Sequence, residues 1–398
     1  MDLKSGYPYF FVKNGLYQNF ETLRANHETD IVILGGGISG ALMAHQLIKN
    51  GIQCTIIDKR SIGFGSTSAS TSLLQYEIDV SLHELTKQIG KENAVEAYKL
   101  CGRSIDMISE IAKEIGFDGF KYCDSVYFSH SNRKNNFLKE EFESRKDAGF
   151  DVSYLSEEEI FKNFGFHSKE AIQSSQAAKT DAYLFTHFLH KYNRQKGLSV
   201  FENTLVKNIR NNKSKVELTT DKGFVIKTKK IIYATGYEAV KQIDKPIVKL
   251  SSTYACISER IENLPDFFKN TILWNTDKPY LYLREDNGRI IVGGRDENYY
   301  NPEKREHLLE KKAEKLKHDF KKLFPAIDFK IQFYWAGTFG STKDGLPYIG
   351  IYNKKPNSYF ALGFGGNGIT FSALAADMIT RHIKGEKNSI PEMFSFER

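Results

Sequence analysis

Asp30-Ile31-Val32-Ile33-Leu34-Gly35-Gly36-Gly37-Ile38-Ser39-Gly40 is the stretch from which the fold is read. Its β-branched run, Ile31 to Ile33, predicts a buried strand, and a helical pattern (Ala41, Leu42, Ala44, Leu47, Ile48) begins directly after Gly40. Gly35, Gly37 and Gly40 form G-x-G-x-x-G at the strand-to-helix turn. The first glycine permits a tight turn, the second lets backbone approach a pyrophosphate, and the third lets helix pack on strand. Ile38, Ser39 and Gly40 open the helix, whose N–H groups and partial positive charge suit phosphate.

Context strengthens the motif. Gly51 ends the helix, Gln53 to Ile57 predicts a second strand, and Asp58 closes it, followed by Lys59. An acid at that distance suits ribose hydroxyls, so the βαβ unit predicts a dinucleotide site.

The chain of 398 residues is long enough for two cores. With 40% hydrophobic and 26% charged residues it falls in the soluble globular class, and no apolar run reaches the length of a membrane span. Met1 to Asn26 lacks the apolar core of a signal peptide. Cys54, Cys101, Cys123 and Cys256 are scattered, which predicts no metal site, no disulfide framework and a cytoplasmic setting. The lysine-rich stretch 310–324 carries Leu316, Phe320 and Leu323 at helical spacing. It reads as a solvated helix face rather than a nucleic-acid surface.

Along the chain, the aromatic lead-in Tyr7 to Phe11 is expected to pack outside the fold or to reach toward the site as an arm. The hydroxyl-rich run Gly65 to Leu73, containing Ser66, Thr67, Thr71, Ser72 and Leu73, reads as a loop donating hydroxyl and N–H groups to a cofactor. Helices are predicted over 82–115 with a break near Gly90, over 134–148 and over 183–196. Short strands are expected at 125–129, 199–201, 204–206, 216–220, 224–227 and 230–234, the last running into Ala234-Thr235-Gly236. Residues 247–258, 279–284 and 289–294 form a strand block without α/β alternation, with Asn287-Gly288 as a hairpin turn. On the strand 279–284, Tyr280, Tyr282 and Arg284 alternate onto one face and are the candidate catalytic residues, with Gln75 and Tyr76 next.

Near the C-terminus, Gly363, Gly365 and Gly368 form a second G-x-G-x-x-G before another helix. No further strand and acid follow, so the economical reading is a helix N-terminus aimed at the cofactor already bound by the first motif. The charged edge of a reduced flavin suits it.

Together these motifs resemble the FAD-dependent D-amino-acid oxidase and glycine oxidase superfamily, over nearly the whole chain. The resemblance also rests on Val206, Trp335-Ala336-Gly337, Thr342 to Gly350 and Gly366-Asn367-Gly368-Ile369. It implies an α/β fold: a Rossmann-like FAD-binding domain (1–80, 150–240, 335–398) interrupted by a substrate domain with a large, mostly antiparallel sheet (81–149, 241–334). It implies that Asp58 holds the adenosine ribose, Ser66 and Thr67 lie near the pyrophosphate, Thr71, Ser72 and Leu73 line the flavin, and Val206 meets adenine. Asn367 to Thr370 would cap the flavin's pyrimidine end. Two positions depart from the family. Phe339 stands where relatives carry a carboxylate-pairing arginine, leaving Arg284 or Lys343 as substitutes, and the strand Ile290-Ile291-Val292 lacks the lysine associated with oxygen activation. No cysteine lies between Trp335 and Asp344, which implies non-covalent FAD.

The expected activity is oxidation of the C–N bond of an amine or amino acid by hydride transfer to flavin, with the imine then hydrolysed and oxygen or another acceptor taking the electrons. An FAD dehydrogenase of a 2-hydroxy acid or polyol phosphate is the alternative on the same fold, and a non-catalytic flavin-binding module is another.

Overall fold

The computed structural model describes residues 2–129, 136–212 and 215–398. Two sheets organise it. In the first, the strands run in the order Tyr348–Ile351, Ser358–Leu362, Val225–Tyr233, His27–Leu34, Cys54–Ile57 and Ser199–Phe201. Every neighbouring pair in that path is parallel except the first. Val32 and Ile33 are fully buried, as strands covered by helices on both faces require. Helices Ile38–Lys49, Lys91–Glu114, Ala182–Arg194 and Gly368–Ile383 share one apolar cluster against this sheet.

The second sheet has ten strands among the described residues. Its path runs Lys4–Gly6, Ile331–Ser341, Lys249–Ser258, Arg289–Glu297, Tyr282–Asp286, Thr271–Asn275, Lys121–Phe128, Glu170–Lys179 and Leu73–Gln75, with Val152–Ser156 added on Glu170–Lys179. Only the pair Thr271–Asn275 and Lys121–Phe128 is parallel. Helix Leu309–Leu323 covers one face, burying Leu316 and Phe320, while Lys312 departs from its solvated neighbours by donating to Glu297 Oε1 at 2.6 Å. Asn287 and Gly288 turn the hairpin with φ of 51° and 75°, the left-handed pair a two-residue loop demands.

Several expectations change. The strands at 224–227 and 230–234 are one strand, Val225–Tyr233, because its length pairs along His27–Leu34. The predicted strand at 204–206 begins instead at Val206. The helix expected over 134–148 is Phe137–Asp147, and residues 134–135 lie outside the described residues. The break at Gly90 falls between helices Leu82–Ile89 and Lys91–Glu114.

Sheet membership crosses the segments 1–80 and 150–240: Lys4–Gly6, Leu73–Gln75, Val152–Ser156 and Glu170–Lys179 hydrogen-bond into the ten-stranded sheet. Helix Lys91–Glu114, placed with the substrate unit, packs in the nucleotide-side cluster. Edge pairing and helix docking decide membership, and neither leaves a local periodicity. No helix among the described residues is long and apolar enough to cross a membrane.

Candidate active site

A cavity of about 880 Å³ is lined by residues of both sheets. At one end stands the first glycine turn. Gly35 has φ of 105°, and a Cβ on it would lie 2.4 Å from Ala234 O. A Cβ on Gly40 would lie 1.9 Å from Gly35 O, so helix and turn approach as only glycine allows. Thr67 Oγ1 accepts from Ile38 N at 3.0 Å. The first main-chain bond of the helix is Ala41 N to Gly37 O at 2.9 Å, so the Ser39 and Gly40 N–H groups precede the helical ladder.

Asp58 ends the second strand of the unit and accepts from Gly36 N at 2.7 Å and Arg60 N at 2.9 Å. Burial pushes its pKa up against those bonds. Lys59 and Arg60 both donate to Glu238 Oε1 at 2.9 Å, across from the turn Ala234 to Gly236.

Most of the expected cofactor residues line this one cavity: Gly35, Gly37, Ile38, Ser39, Asp58, Lys59, Ser66, Thr67, Thr71, Ser72, Leu73, Val206, Ala234, Thr235, Gly236, Gly366, Asn367, Gly368 and Ile369. Gly40 and Thr370 do not. Gly40 is consumed in packing against Gly35, and the Thr370 hydroxyl turns back to donate to Asn367 O at 2.9 Å. Asn367 itself is pinned, donating through Nδ2 to Gln75 O at 3.0 Å and Glu77 O at 2.9 Å. The helix Gly368–Ile383 thereby starts at a fixed place on the cavity wall.

The candidate catalytic trio divides. Tyr280 and Tyr282 line the cavity, but Tyr280 precedes the strand, which begins at Tyr282. Arg284 is only 2% exposed and does not line the cavity. Its Nη1 donates to Thr71 O at 3.1 Å, Ser72 O at 2.9 Å and Thr180 O at 2.8 Å, and its Nη2 pairs with Asp286 at 3.1 Å. Alternation put Arg284 on the correct face, but its fork is spent on the back of the loop that carries Ser72. That loop needs support, because Ser72 adopts φ of 58°. Lys343 is exposed and also lies off the cavity, while Phe339 lines the wall. Gln75 lines the cavity, whereas Tyr76 is buried in a stack on Phe150 at 4.6 Å.

Several acids of the lining were missed, Asp79 and Asp296 among them. Asp79 lines the cavity, accepting from Gly366 N at 2.9 Å and from the Tyr280 hydroxyl at 3.3 Å. Asp296 also lines it, and burial, reinforced by the negative charge of Asp79, pushes its pKa up to about 6. No motif marks either residue; only the fold brings them to one place. Around them stand Tyr280, Tyr282, Tyr237, Tyr127 and Trp274, the last two stacked at 3.7 Å. Leu3 reaches the cavity from the N-terminal segment, whose strand Lys4–Gly6 extends Ile331–Ser341.

The lining fits FAD. The glycine turn leaves no room for a Cβ, a buried acid closes the strand after it, and Ser66 Oγ on the expected pyrophosphate loop is buried without a hydrogen-bond partner. Neither a cysteine nor a histidine lines the cavity among the described residues.

Comparison with known proteins gives a consistent picture. Residues 30–382 match the model of the family described as "DAO: FAD dependent oxidoreductase". The chain is 22% identical over 400 residues to a probable oxidoreductase, OrdL, of Haemophilus influenzae, covering 95% of this chain and 88% of that one. It is 23% identical over 404 residues to the γ-glutamylputrescine oxidoreductase of Escherichia coli, covering 95% and 89%. A crystal structure of glycine oxidase from Geobacillus kaustophilus superposes with a TM-score of 0.78 at 19% identity, covering 94% of this chain and 99% of that chain.

Proposed function

The chain belongs to the DAO family of FAD-dependent oxidoreductases, and on that premise we propose that it oxidises the C–N bond of an amine. FAD, when bound, supplies the acceptor for the hydride leaving the amine-bearing carbon. The residues of the chain bind, orient and enclose. Asp58 offers a fixed acceptor to the ribose, while the turn at Gly37 and the hydroxyls of Ser66 and Thr67 take the pyrophosphate. Val206 would meet adenine, and Ala234 to Gly236 would close over the backbone. Thr71 to Leu73 would line the flavin, and the helix opening at Gly368 would offer N–H groups to its pyrimidine end. Among the described residues, the sheet centred on His27–Leu34 holds the nucleotide end and the ten-stranded sheet supplies the substrate wall.

The observation that carries an amine rather than an alcohol acid is the charge of that substrate wall. Asp79 and Asp296 line it, and so does Phe339, where the resemblance leads one to expect a carboxylate-pairing arginine. A 2-hydroxy acid or a polyol phosphate would meet carboxylates there. The named relative that acts on γ-glutamylputrescine points the same way. The released imine hydrolyses to a carbonyl compound and ammonia or an amine.

An anaerobic screen tests this reading. The FAD-loaded protein is mixed with primary amines, amino acids and 2-hydroxy acids, and loss of the flavin band near ~450 nm is followed. Bleaching by amines with release of ammonia or amine is the expected result; bleaching by hydroxy acids alone overturns it. Admission of air then reports whether oxygen reoxidises the flavin.

A further inference from the structure

Resting on that reading, we infer that Asp79 and Asp296 hold a second ammonium of the substrate, so that the preferred amine is a diamine bearing no carboxylate. Asp79 is fixed in place by Gly366 N and the Tyr280 hydroxyl, and it opens onto the cavity. Asp296 is partly buried, and its Oδ1 is buried without a hydrogen-bond partner in a wall of that same cavity. An unpartnered buried carboxylate oxygen is costly, and a cation delivered by ligand removes that cost.

The surroundings favour a cation and supply none. Lys59 and Arg60 lie at the Asp58 end, engaged with Glu238, and Lys241 lies on the neighbouring turn Gly236–Gln242. Lys278 lines the cavity but its side chain is 82% exposed, with Glu84 at 3.9 Å. Lys312 is committed to Glu297 and Arg295 O. Tyr280 and Tyr282 line the cavity with the acids, the Tyr280 hydroxyl donating to Asp79, and aromatic rings attract ammonium.

The chemistry then separates two nitrogens. The nitrogen on the carbon that gives up hydride must be neutral, so that its lone pair assists departure. An ammonium held between carboxylates is kept protonated by them. The nitrogen bound by Asp79 and Asp296 is therefore not the reacting one. A carboxylate at that end of the molecule would be repelled.

The test uses the FAD-loaded protein with 1,4-diaminobutane, butylamine and 4-aminobutyrate, read by calorimetric binding and, separately, by anaerobic bleaching. The diamine should bind at least tenfold more tightly than butylamine, and 4-aminobutyrate more weakly than either. Asp296→Asn should bring the diamine-to-butylamine ratio to within about threefold, and Asp79→Asn provides the same reading should the first variant fail to fold. Equal binding of diamine and monoamine, tight binding of 4-aminobutyrate, or an unchanged ratio in both variants overturns the inference. Bleaching by butylamine with no diamine preference defeats it while leaving C–N oxidation standing. Tight diamine binding with no bleaching by any amine supports it and defeats C–N oxidation instead.

Discussion

Replacing Arg284 with methionine separates a buttress from a substrate ligand. The guanidinium touches five acceptors, among them Glu285 O at 3.4 Å, which keeps Lys179, and their other partners decide what its loss costs. Ser72 O keeps the Thr180 N–H at 3.1 Å, and Asp286 keeps the Tyr9 hydroxyl at 2.9 Å and Lys13 at 3.0 Å. Thr71 O and Thr180 O have no second donor among the described residues. Each buried acceptor left unpaired costs about 1–3 kcal/mol, and losing one partner of a buried ion pair brings the total to about 3–5 kcal/mol. The loss falls on the loop that strains Ser72 to a positive φ and lines the cavity. Arg284→Met should therefore lower the urea midpoint of the apoprotein and weaken FAD binding at least tenfold, measured by quenching of flavin fluorescence. Arg284→Lys should recover part of both, since an ammonium can serve only some of the same carbonyls. Were Arg284→Met to keep the wild-type midpoint and FAD affinity and lose only substrate binding, the buttress reading would be wrong.

Other predictions follow from the same geometry. Gly40→Ala places a methyl 1.9 Å from a backbone oxygen that cannot swing away, so it should cost more than about 2 kcal/mol in urea unfolding and leave the protein colourless. Trp335 donates from Nε1 to Ala69 O at 2.8 Å while 1% exposed. Trp335→Phe should destabilise by about 2–3 kcal/mol, and a wild-type midpoint would argue against that bond. Asp296 has a folded pKa raised to about 6 from 3.8, through burial and then Asp79, opposed by Thr253 and Lys312. The folded protein thus holds this proton more tightly than the unfolded chain does. The stability it confers is complete below pH 4 and is lost as pH rises through 6. About two pKa units correspond to about 3 kcal/mol, so urea midpoints of Asp296→Asn should fall less between pH 4.5 and 7.5 than those of the wild type. Identical slopes would contradict this.

The nucleotide unit was legible because its signals are local. A β-branched run, three glycines at fixed spacing and an acid at the next strand end each state a backbone requirement in the residues themselves. Asn287-Gly288 and Gly90 were readable for the same reason. The strand Glu170–Lys179 was not, since Gln173-Ser174-Ser175-Gln176 has neither alternation nor β-branched bulk, and it is a strand because Lys121–Phe128 and Val152–Ser156 flank it. On the site, the cofactor wall followed from motifs, whereas Asp79 and Asp296 are more than two hundred residues apart and became neighbours only through sheet order. Arg284 shows the limit of strand periodicity. It names a face, but the reach of a long side chain decides whether that face ends at a ligand or at a carbonyl.

The parallel pairing of His27–Leu34 with Val225–Tyr233, and of that strand with Ser358–Leu362, has a consequence for biosynthesis. The two glycine turns that line the cavity are separated by most of the chain. At roughly 5–20 residues per second, about 15–65 s pass between synthesis of Gly40 and of Gly368. Until then the first turn is an unroofed shelf, and Val225–Tyr233 lacks its neighbour Ser358–Leu362 on one side. Cofactor capture is consequently a closing event rather than a nucleating one, and a nascent chain must guard its half-built parallel sheet from aggregation without the ligand that later clamps both ends.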